Sequence, residues 1–479
     1  MLVSPVLRTR QQLQEILQRQ EVHFVGGCVR DLLLGRPLHD LDLAVAGDAV
    51  ALARSVAHAL RAAFVLLDEE NGIARVVLRG PDGGPEGTID LARQRGNDLQ
   101  EDLAARDLTI NAMAMDPPAF WASAAGEVAQ PQVVDPFGGL EDLRAQRIRA
   151  VREQAFRDDP LRTLRVIRLA AELDFAVDPQ TAGWVRQTAG LLPRVSWERI
   201  RDEVLRLLGC PHAAPYLSLL AELALLPYVL PEVESVRTDP GLGHLGETVC
   251  SLEWIAGRLA DGGRPRSEGA FWQPAALASH PDLRLDLPYA VQVGRYLHTR
   301  LAGKHDRLAL LKLAGLLHHG SGQEARRAGS RLRLSGGEVF DLASAVAHLE
   351  DALLLGEGET SRLAVYRFYR DTGAVANGVL LLSLAHELAI VGPSLQREPW
   401  SERVDHTGAI LALHQERFAE VISPSRLVDG DDLMDALGLE PGPWIGRLLE
   451  GIREAQVAGE VRSREEALAW ARCLLGRDE

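Results

Sequence analysis

The N-terminal part of the chain alternates short apolar runs with polar breaks, a pattern typical of a small unit of strands and helices. The apolar run Val22–Val25 predicts a buried strand, which Gly26 and Gly27 interrupt. Residues 28–34 then have helical spacing, and the alternating run HDLDLAV at residues 39–45 predicts a second strand. We therefore expect a strand, a glycine break, a helix and a strand in that order.

The same pattern continues on both sides of this segment. Residues 1–21 predict one amphipathic helix, and the alanine-rich residues 48–61 predict another. Three more segments have the composition of strands, the last two joined like a hairpin: residues 64–67, 74–78 and 88–91. We expect a small mixed sheet covered by helices.

The remainder of the chain, from about residue 210, is rich in leucine and alanine and has helical spacing without an internal repeat. The predicted fold class is therefore α+β. The expected domains are a mixed unit at residues 1–150, a helical neck at 151–210 and an all-helical body and tail at 211–479. Apolar runs such as residues 378–389 are too short and too polar to span a bilayer, and the N-terminus lacks a secretion signal.

The cysteines indicate the redox environment of the protein, and the charge limits the kinds of partner that it can bind. The four cysteines are scattered without C-x-x-C spacing, which favours reduced thiols in a cytoplasm over a structural zinc site based on cysteine. The formal net charge of −15 disfavours an RNA partner, but a local basic patch decides phosphate affinity. Eight arginines cluster in one segment: 144, 147, 149, 152, 157, 162, 165 and 168. Compositional bias explains arginine in place of lysine, but it does not explain the clustering.

Candidate chemistry lies around the first predicted strands. Asp40 and Asp42 are two residues apart on a strand, so their carboxylates face the same side and can share a pair of Mg²⁺ ions. Gly27 at a helix N-terminus lets backbone N–H groups approach an anion, and Arg30 adds positive charge one turn later. The alternative is that the two aspartates are solvated strand ends.

Taken together, these residues resemble the signature of the nucleotidyltransferase superfamily. The string RDLTINA at residues 106–112 is similar to the second motif of bacterial class II tRNA nucleotidyltransferases and poly(A) polymerases, the CCA-adding enzymes. The resemblance runs from near residue 22 to about residue 208 and returns near the C-terminus. It implies a nucleotidyltransferase head at residues 1–150 with Asp40 and Asp42 as catalytic, metal-binding residues.

The resemblance also implies roles for individual nucleotide-binding residues. Gly27 and Arg30 would cradle the phosphates, and Arg106 would face the sugar and phosphates of the incoming nucleotide, with Asp107 orienting the sugar. We expect a helix that starts at Asp102 and includes both Arg106 and Asp107. The family commonly has two arginines before this aspartate, whereas this chain keeps only the second.

Asp90, on the strand predicted at residues 88–91, has two interpretations. It can flank Asp40 and Asp42 as a third acidic group, or it can cap a strand end or pair with Arg93. The sequence does not decide between them.

The run DDPLRTLRVIR at residues 158–168 resembles the family motif that reads the incoming base without a nucleic-acid template. Asp159 would accept a hydrogen bond from the exocyclic amine of C or A, and Arg162 would donate to the adjacent ring position. Arg165 and Arg168 would support the phosphates or the structure. The alternative is that Asp159 caps a helix and the arginines form a solvated face.

Three further segments match family motifs or need an interpretation of their own. DPFGGL at residues 135–140 resembles the family's hinge between head and neck, and Glu198 resembles a residue of its neck-closing motif, where we expect it to tie helices together. The turn at residues 441–446 offers N–H groups to an RNA phosphate or forms a corner between helices, and we favour the corner. His318 and His319 resemble the His-Asp pair of HD phosphohydrolases. Because the aspartate is missing and we find no partner histidines, we expect an ordinary helix end.

The function implied by the resemblance is the Mg²⁺-dependent addition of CMP or AMP, from CTP or ATP, to the 3′ acceptor end of tRNA. Residues 211–479 would bind the tRNA, and no protein partner is implied. Only residues 91–101 separate Asp90 from Asp102, so the flexible loop that full CCA-adding relatives carry there is short or absent. We therefore predict CC addition. A-adding, full CCA-adding or poly(A) polymerase activity, or an inactive RNA-binding homologue, remain the alternatives.

Overall fold

The computed structural model of the protein describes residues 5–80, 84–128, 130–234, 241–260, 273–301, 305–355 and 361–475. The chain forms two compact units, residues 1–195 with 223–225 and residues 196–222 with 226–479. Within the described ranges, all strands belong to the first unit and the second is helical. The predicted α+β class is confirmed, whereas the division at residues 150 and 210 stays a prediction.

Six strands of the first unit form one mixed sheet in the spatial order β3-β4-β5-β2-β1-β6. A two-stranded parallel ladder joins β7 to β8. The strands are β1 (Val22–Val25), β2 (Asp40–Val45), β3 (Ala63–Asp68), β4 (Ile73–Arg79), β5 (Pro85–Arg93), β6 (Ala114–Met115), β7 (Arg147–Ile148) and β8 (Ala176–Val177).

The position of β2 at the centre of the sheet follows from its pairing. It runs antiparallel to β1 and parallel to β5, and the pair β4 and β5 forms the predicted hairpin. The apolar residues of β1, β2 and β5 are almost fully buried. This is expected for strands in the middle of a sheet whose two faces are covered. At the start of β2, Asp40 is exposed and Asp42 is partly exposed, so the two carboxylates remain accessible at this end of the strand.

Helices cover the sheet of the first unit and continue beyond it. They are α1 (Pro5–Arg8), α2 (Arg10–Leu17), α3 (Gly27–Leu33), α4 (Ala49–Ala59), α5 (Leu99–Ala104), α6 (Pro117–Ala124), α7 (Gly139–Arg144), α8 (Gln154–Asp158), α9 (Arg162–Leu173) and α10 (Pro179–Thr188).

Two helix predictions in this unit are wrong in detail. The single helix expected at residues 1–21 is two helices divided at Thr9, and residues 1–4 lie outside the described ranges. The helix expected to include Arg106 and Asp107 ends at Ala104. Its N-terminus is fixed because the Asp98 carboxylate accepts a hydrogen bond from the N–H of Glu101.

The second unit is built from helices alone in the described ranges. They are α11 (Trp197–Gly209), α12 (Ala214–Glu222), α13 (Leu226–Val229), α14 (Pro231–Glu234), α15 (Gly241–Ala260), α16 (Ala275–Ser279), α17 (Ala290–Leu297), α18 (Arg307–Leu317), α19 (Gly322–Arg331), α20 (Gly336–Ala347), α21 (Leu349–Leu355), α22 (Arg362–Thr372), α23 (Ala376–Val391), α24 (Arg397–Glu416), α25 (Gly430–Leu437), α26 (Pro443–Ala458) and α27 (Arg464–Leu475).

The core of the second unit is formed by α15, α18 and α23, which pack against one another. Every residue of α18 after its first is buried, including Lys312, whose ammonium donates to Glu253 and to the carbonyl of Cys210. The stretch Arg362–Ser394, which contains the run at residues 378–389, is long and apolar enough to cross a membrane by length and composition alone. Because 67% of its most apolar window is buried within the protein, it has the character of a core helix pair.

Near the C-terminus, the turn at residues 438–442 joins α25 to α26. Gly442 is the residue that precedes α26, and Pro443 is its first residue, a favoured position for proline. Ile445 and Leu448 pack into a small core with Leu433. The expected helix–helix corner is therefore present.

Candidate active site

Paired glycines open a space beside the first residues of β2. Gly26 has φ +74°, a conformation that L side chains rarely adopt, and it precedes the first turn of α3. A Cβ at Gly26 would lie 3.0 Å from Nη1 of Arg106 and 3.3 Å from Oδ2 of Asp42. A Cβ at Gly27 would lie 3.5 Å from Nη2 of Arg30. The absence of both side chains keeps the approach to Asp42 and Arg106 clear.

Three carboxylates meet where β2 lies beside β5. Asp42 is in register with Asp90, and Asp40 is in register with Thr88. The N–H and hydroxyl of Thr88 both donate to Oδ1 of Asp40, at 3.1 and 2.7 Å. Asp90 forms a bidentate ion pair with Arg75 at 2.7 Å, so the alternative that it pairs with Arg93 is wrong. Its place beside Asp42 agrees with the interpretation as a third acidic group.

The electrostatics of Asp42 reflect this convergence of negative charge. Burial, with the nearby charges of Asp90 and Asp40, raises the pKa of the Asp42 carboxyl to about 6, although Arg106 and Arg165 act in the opposite direction. Behind it, the Cys28 thiol donates to the carbonyl of Val25, and burial raises the pKa of that thiol to about 12. The buried thiol therefore packs in the interior and is unreactive. The nearby guanidinium groups do not fully offset the negative charge of the carboxylates.

Arg106 is the cation closest to the glycine break. Its Nε and Nη2 atoms donate to Oδ2 of Asp102 at 3.2 and 3.1 Å, which fixes the guanidinium one turn beyond the buried carboxylate. Its Nη1 atom is directed toward Gly26. Sequence reasoning identified Arg106 but missed Asp102 as its positioning residue, although the i,i+4 spacing of the pair was a usable signal.

Asp107 faces away from solvent and is held as an anion. The N–H of Leu108 and the amide of Asn111 donate to its Oδ1 atom, and Arg165 forms an ion pair with Oδ2 at 3.1 Å. Burial alone would raise its pKa, but Arg165 and Arg162 lower the pKa to about 2. Asp107 is therefore a buried anchor between this segment and α9.

Arg30 is also tied to this segment. Its Nη1 atom donates to Oδ1 of Asn111 at 2.8 Å, and its other nitrogens donate to Asp31 at 3.0 Å. Only 8% of the residue is exposed. The structure thus brings Arg30 next to Gly27, as the sequence suggested, and gives it hydrogen bonds that brace the helix α3.

The other predicted nucleotide-binding residues belong to α8, α9 and their connection. Asp159 accepts a hydrogen bond from the N–H of Leu161 at 3.3 Å, so it takes part in the turn before α9. Arg162 is buried and donates to the carbonyls of Ala105 and Ala155 at 2.9 and 3.3 Å. Arg168 is buried and pairs with Glu172 at 2.6 Å.

The arginine cluster is only partly internal: Arg162 and Arg168 are buried, whereas Arg144, Arg152 and Arg157 are exposed. In addition to the contacts of α9, Arg147 and Arg149 both donate to the fully buried carboxylate of Asp142. Arg152 and Arg157 form ion pairs with Asp158 and Glu153 at 3.4 and 2.8 Å. The alternative interpretation of a solvated face does not hold for Arg162 and Arg168, which are buried because their guanidinium groups bond to carbonyls and carboxylates within the unit.

The predicted hinge at residues 135–140 is bonded to the same region. The Asp135 carboxylate accepts from the N–H groups of Gly139 and Leu140 at 2.7 and 2.9 Å, which caps α7. A Cβ at Gly139 would lie 2.4 Å from the carbonyl oxygen of Thr109, so only glycine fits. The Thr109 hydroxyl donates to Asp142 at 2.6 Å. A hinge role stays a prediction.

The assembled site has an acidic edge, a glycine-lined approach and a guanidinium beside both. Carboxylate oxygens are the ligands that Mg²⁺ prefers, and a helix N-terminus with an arginine suits phosphate. This combination is suited to a reaction of a polyphosphate with a divalent ion.

Glu198, outside this site, lies 3.8 Å from Arg333 and ties α11 to the segment before α20, as expected.

Comparisons with known proteins identify the family of the chain. The family model for the "Poly A polymerase head domain" matches residues 22–149, that for the "Probable RNA and SrmB-binding site of polymerase A" matches residues 174–236, and that for tRNA nucleotidyltransferase domain 2 matches residues 409–471. The chain is 33% identical to a CC-adding tRNA nucleotidyltransferase of Geobacter sulfurreducens, over 93% of this chain and 90% of that protein. It is 32% identical to an A-adding tRNA nucleotidyltransferase of Deinococcus radiodurans, over 93% and 94% of the two chains.

A solved structure of the Bacillus stearothermophilus CCA-adding enzyme in complex with CTP is similar over 99% of this chain and 98% of that one. The TM-score is 0.63 and the sequence identity is 25%. The identity with the Geobacter relative over nearly the full length of both proteins, together with the carboxylate pair and the RDLTINA segment, shows that the chain belongs to the bacterial tRNA nucleotidyltransferase and poly(A) polymerase family, a family of nucleotidyltransferase enzymes that use a divalent metal ion.

Proposed function

We propose that this protein transfers CMP from CTP to the 3′-hydroxyl of tRNA and releases pyrophosphate, with transfer of AMP from ATP as the alternative that the test below distinguishes. The observation that carries this proposal is the convergence of Asp40, Asp42 and Asp90 beside the glycine break and Arg106. The relatives that add CC, A or CCA to tRNA support the substrates. We place the reaction in the cytoplasm, where tRNA and nucleoside triphosphates occur together.

The metal ion in this proposal is Mg²⁺, held by Asp40 and Asp42. The donor set fits, because it consists of carboxylate oxygens. Burial, together with the nearby charges of Asp90 and Asp40, raises the pKa of Asp42, and a divalent ion would favour its charged form. When bound, Mg²⁺ supplies charge neutralisation to the triphosphate and lowers the pKa of the attacking hydroxyl. Asp90 stands beside Asp42 and completes the acidic edge while it pairs with Arg75.

The remaining residues act on the nucleotide. Arg106, positioned by Asp102, donates to the phosphates, and Gly27 with the N-terminus of α3 lets them approach the backbone. Arg30 supports this helix through Asn111 and contributes positive charge. Through its ion pair with Asp107, Arg165 holds the segment behind Arg106, and Arg168 supports α9 through its ion pair with Glu172 on the same helix.

Base selection falls to Asp159 and Arg162 in this proposal. Arg162 contacts the carbonyl of Ala105, directly before Arg106, which puts the start of α9 next to the phosphate-binding segment. A carboxylate and a guanidinium together match the amine and ring nitrogen of C or A and mismatch U and G. The incoming base would take over donors that Arg162 now directs at the two carbonyls.

Addition of CC is the outcome favoured by the segment between β5 and α5. β5 ends at Arg93 and α5 begins at Leu99, and the N–H of Arg95 is bonded to Asp102. This connection is short and fastened at both ends, unlike the flexible loop that switching to A would require. The helical region at 211–479 would hold the acceptor arm through its backbone and shape, with salt-sensitive affinity.

The test uses three tRNA transcripts that end at the discriminator base, after one added C or after two. Each is incubated with the protein, Mg²⁺ and labelled CTP or ATP, and product lengths are read on a sequencing gel. We expect two cytidines on the first transcript, one on the second and no label on the third. Incorporation of A alone or of CCA would correct the subtype, and failure of all incorporation would leave an RNA-binding homologue and overturn the proposal.

A further inference from the structure

Three histidines from separate helices meet in the second unit. His244 lies on α15, His318 follows the last residue of α18, and His386 lies on α23. One ring nitrogen of each lies within 4.8 Å of the others, and the ring centroids are 4.6 to 5.3 Å apart. The sequence prediction that His318 lacks partner histidines is therefore wrong. The partners come from helices that only the fold brings together.

Each of these rings has a buried nitrogen without a hydrogen-bond partner. The atoms are Nε2 of His244, Nε2 of His318 and Nδ1 of His386. A buried polar atom left unpaired costs about 1–3 kcal/mol, so such atoms are uncommon in folded proteins. Three of them in one cluster indicate a shared partner that is not a protein side chain.

The hydrogen bonds of two rings fix which nitrogen is available. Nδ1 of His318 lies 2.6 Å from the carbonyl oxygen of Gly315, and because a carbonyl only accepts, this nitrogen carries the hydrogen. Its Nε2 atom then presents a lone pair. His244 bonds the backbone of Ala389 and likewise leaves Nε2 without a partner. A ligating histidine typically donates its other N–H to a backbone carbonyl in this way.

The charge state of the cluster agrees with ligation. Burial lowers the pKa of His318 to about 3 and the pKa of His386 to about 4, and it also lowers the pKa of His244. The rings are therefore neutral at pH 7, as metal binding requires. A fourth ring, the exposed His319, lies 4.1 Å from His318 and 5.4 Å from His244 between ring centroids, on the solvent side.

We propose that His244, His318 and His386 bind one divalent transition-metal ion, with Zn²⁺ as the best-fitting ion. Imidazole nitrogen suits Zn²⁺, whereas Mg²⁺ prefers oxygen. A tetrahedral ion with Zn–N bonds of about 2.0–2.1 Å needs ligand atoms about 3.3 Å apart, so small side-chain rotations close the cluster. The fourth position is left to water or to His319.

Such an ion would clamp the core of the second unit. α15, α18 and α23 pack on one another, and each contributes one ligand. Because the unfolded chain cannot assemble the three ligands, bound metal stabilises the folded state. This role is independent of the carboxylate edge in the first unit, which has different ligand atoms.

The test uses the full-length chain without an affinity tag, stripped with a chelator and dialysed. Zn²⁺ and Co²⁺ are titrated separately, with metal content, visible Co²⁺ absorption and melting temperature as readouts. We expect one equivalent bound, the d–d absorption of tetrahedral Co²⁺, and a rise in melting temperature of roughly 5 °C with excess Zn²⁺. His386→Gln and His318→Gln should each lose the absorption and the rise.

His414→Gln is the matched control, because this half-buried histidine stacks on Tyr369 outside the cluster. It should bind metal as the wild type does. His386→Cys distinguishes loss of a ligand from loss of folding, because it replaces the imidazole with another metal ligand. This variant should still bind Co²⁺ and should add a sulfur-to-cobalt charge-transfer band. Absence of stoichiometric binding by the wild type, or unchanged binding in both His→Gln variants, would overturn the proposal.

Discussion

The two units of the chain each gather a set of side chains of the kinds that ligate metals, and the sets differ in their chemistry. The first unit presents carboxylate oxygens from neighbouring strands, with Arg75 and Arg106 close to them. The second presents imidazole nitrogens from three helices, without a nearby hydrogen-bond partner for one nitrogen of each ring. Oxygen ligands suit a hard ion such as Mg²⁺, and nitrogen ligands suit Zn²⁺.

Under the two proposals, the carboxylates serve the reaction and the histidines serve the stability of the folded chain. The carboxylates lie at an accessible strand end, where a substrate would be able to share the proposed ion. The histidines lie among packed helices, where the proposed ion would join three helical segments. The predictions below separate the two sets, beginning with the largest effect.

Removing and then replacing metal ions should show that the two proposed sites have independent effects on rate and on melting temperature. Chelation should lower the rate of nucleotide incorporation by about 10³-fold or more, since the proposed ion stabilises the transition state by several kcal/mol. Adding Mg²⁺ should restore the rate without restoring the melting temperature. Adding stoichiometric Zn²⁺ should restore the melting temperature without restoring the rate. Recovery of both properties with Mg²⁺ alone would show that the proposed distinction is wrong.

Replacing Arg106 should weaken the action of the first unit on the nucleotide. Arg106→Ala should lower kcat/KM for CTP by roughly 10–100-fold, because it removes charge-assisted hydrogen bonds to phosphate worth about 1.5–3 kcal/mol. Steady-state kinetics with an acceptor tRNA measure this effect. Arg157→Ala, which removes an exposed arginine paired with Glu153, is the control and should behave as the wild type. Equal kcat/KM values for the two variants would show that Arg106 does not act on the nucleotide.

Asp107 should make folding stability depend on acidity. The pKa of its carboxyl is lowered to about 2 in the folded protein, so its contribution is present above the unfolded pKa of about 4 and is lost as the pH falls toward 2. Asp107→Asn should lower the free energy of unfolding by about 2 kcal/mol at pH 7. Urea titrations from pH 7 to pH 3 should show the difference shrinking below pH 4. A pH-independent difference would contradict the assignment.

The smallest expected effect concerns Arg165, the ion-pair partner of Asp107. Its side chain is 36% exposed, so solvent screening limits the contribution of the pair. Arg165→Met should lower the free energy of unfolding by about 1 kcal/mol, and Arg165→Lys should recover part of the loss. If Arg165→Met destabilises more than Asp107→Asn, the order of importance within this pair is reversed.

The strands and the position of the two carboxylates proposed as catalytic were predictable because their signals are local. A period-two pattern beside a glycine pair identified β1, α3 and β2, and the spacing of Asp40 and Asp42 placed them on one face. The family resemblance then identified Arg106 and the start of α9. Boundaries were less accurate, since neither the break at Thr9 nor the end of α5 before Arg106 has a proline or glycine to mark it.

Long-range partners were not predictable in this way. Arg75 reaches Asp90 across a hairpin, and Arg162 reaches the carbonyl of Ala105 from a different helix. Sequence spacing gave no reason to prefer Arg75 over Arg93, or to bury arginines that looked like a solvated face. The histidine cluster shows the same limit most clearly, because its members come from three helices and no motif links them.

The central claim is that the carboxylates of β2 hold the ion used in nucleotide transfer, and Asp42→Asn tests it most directly. The measurement is the single-turnover rate of CMP incorporation into tRNA lacking its 3′ end, at saturating CTP and Mg²⁺. Glu69→Gln, an exposed acidic residue in the turn after β3, serves as the control. The account predicts a loss of about 10³-fold or more for Asp42→Asn, with folding retained, and a wild-type rate for the control. A rate for Asp42→Asn within tenfold of the wild type would contradict it.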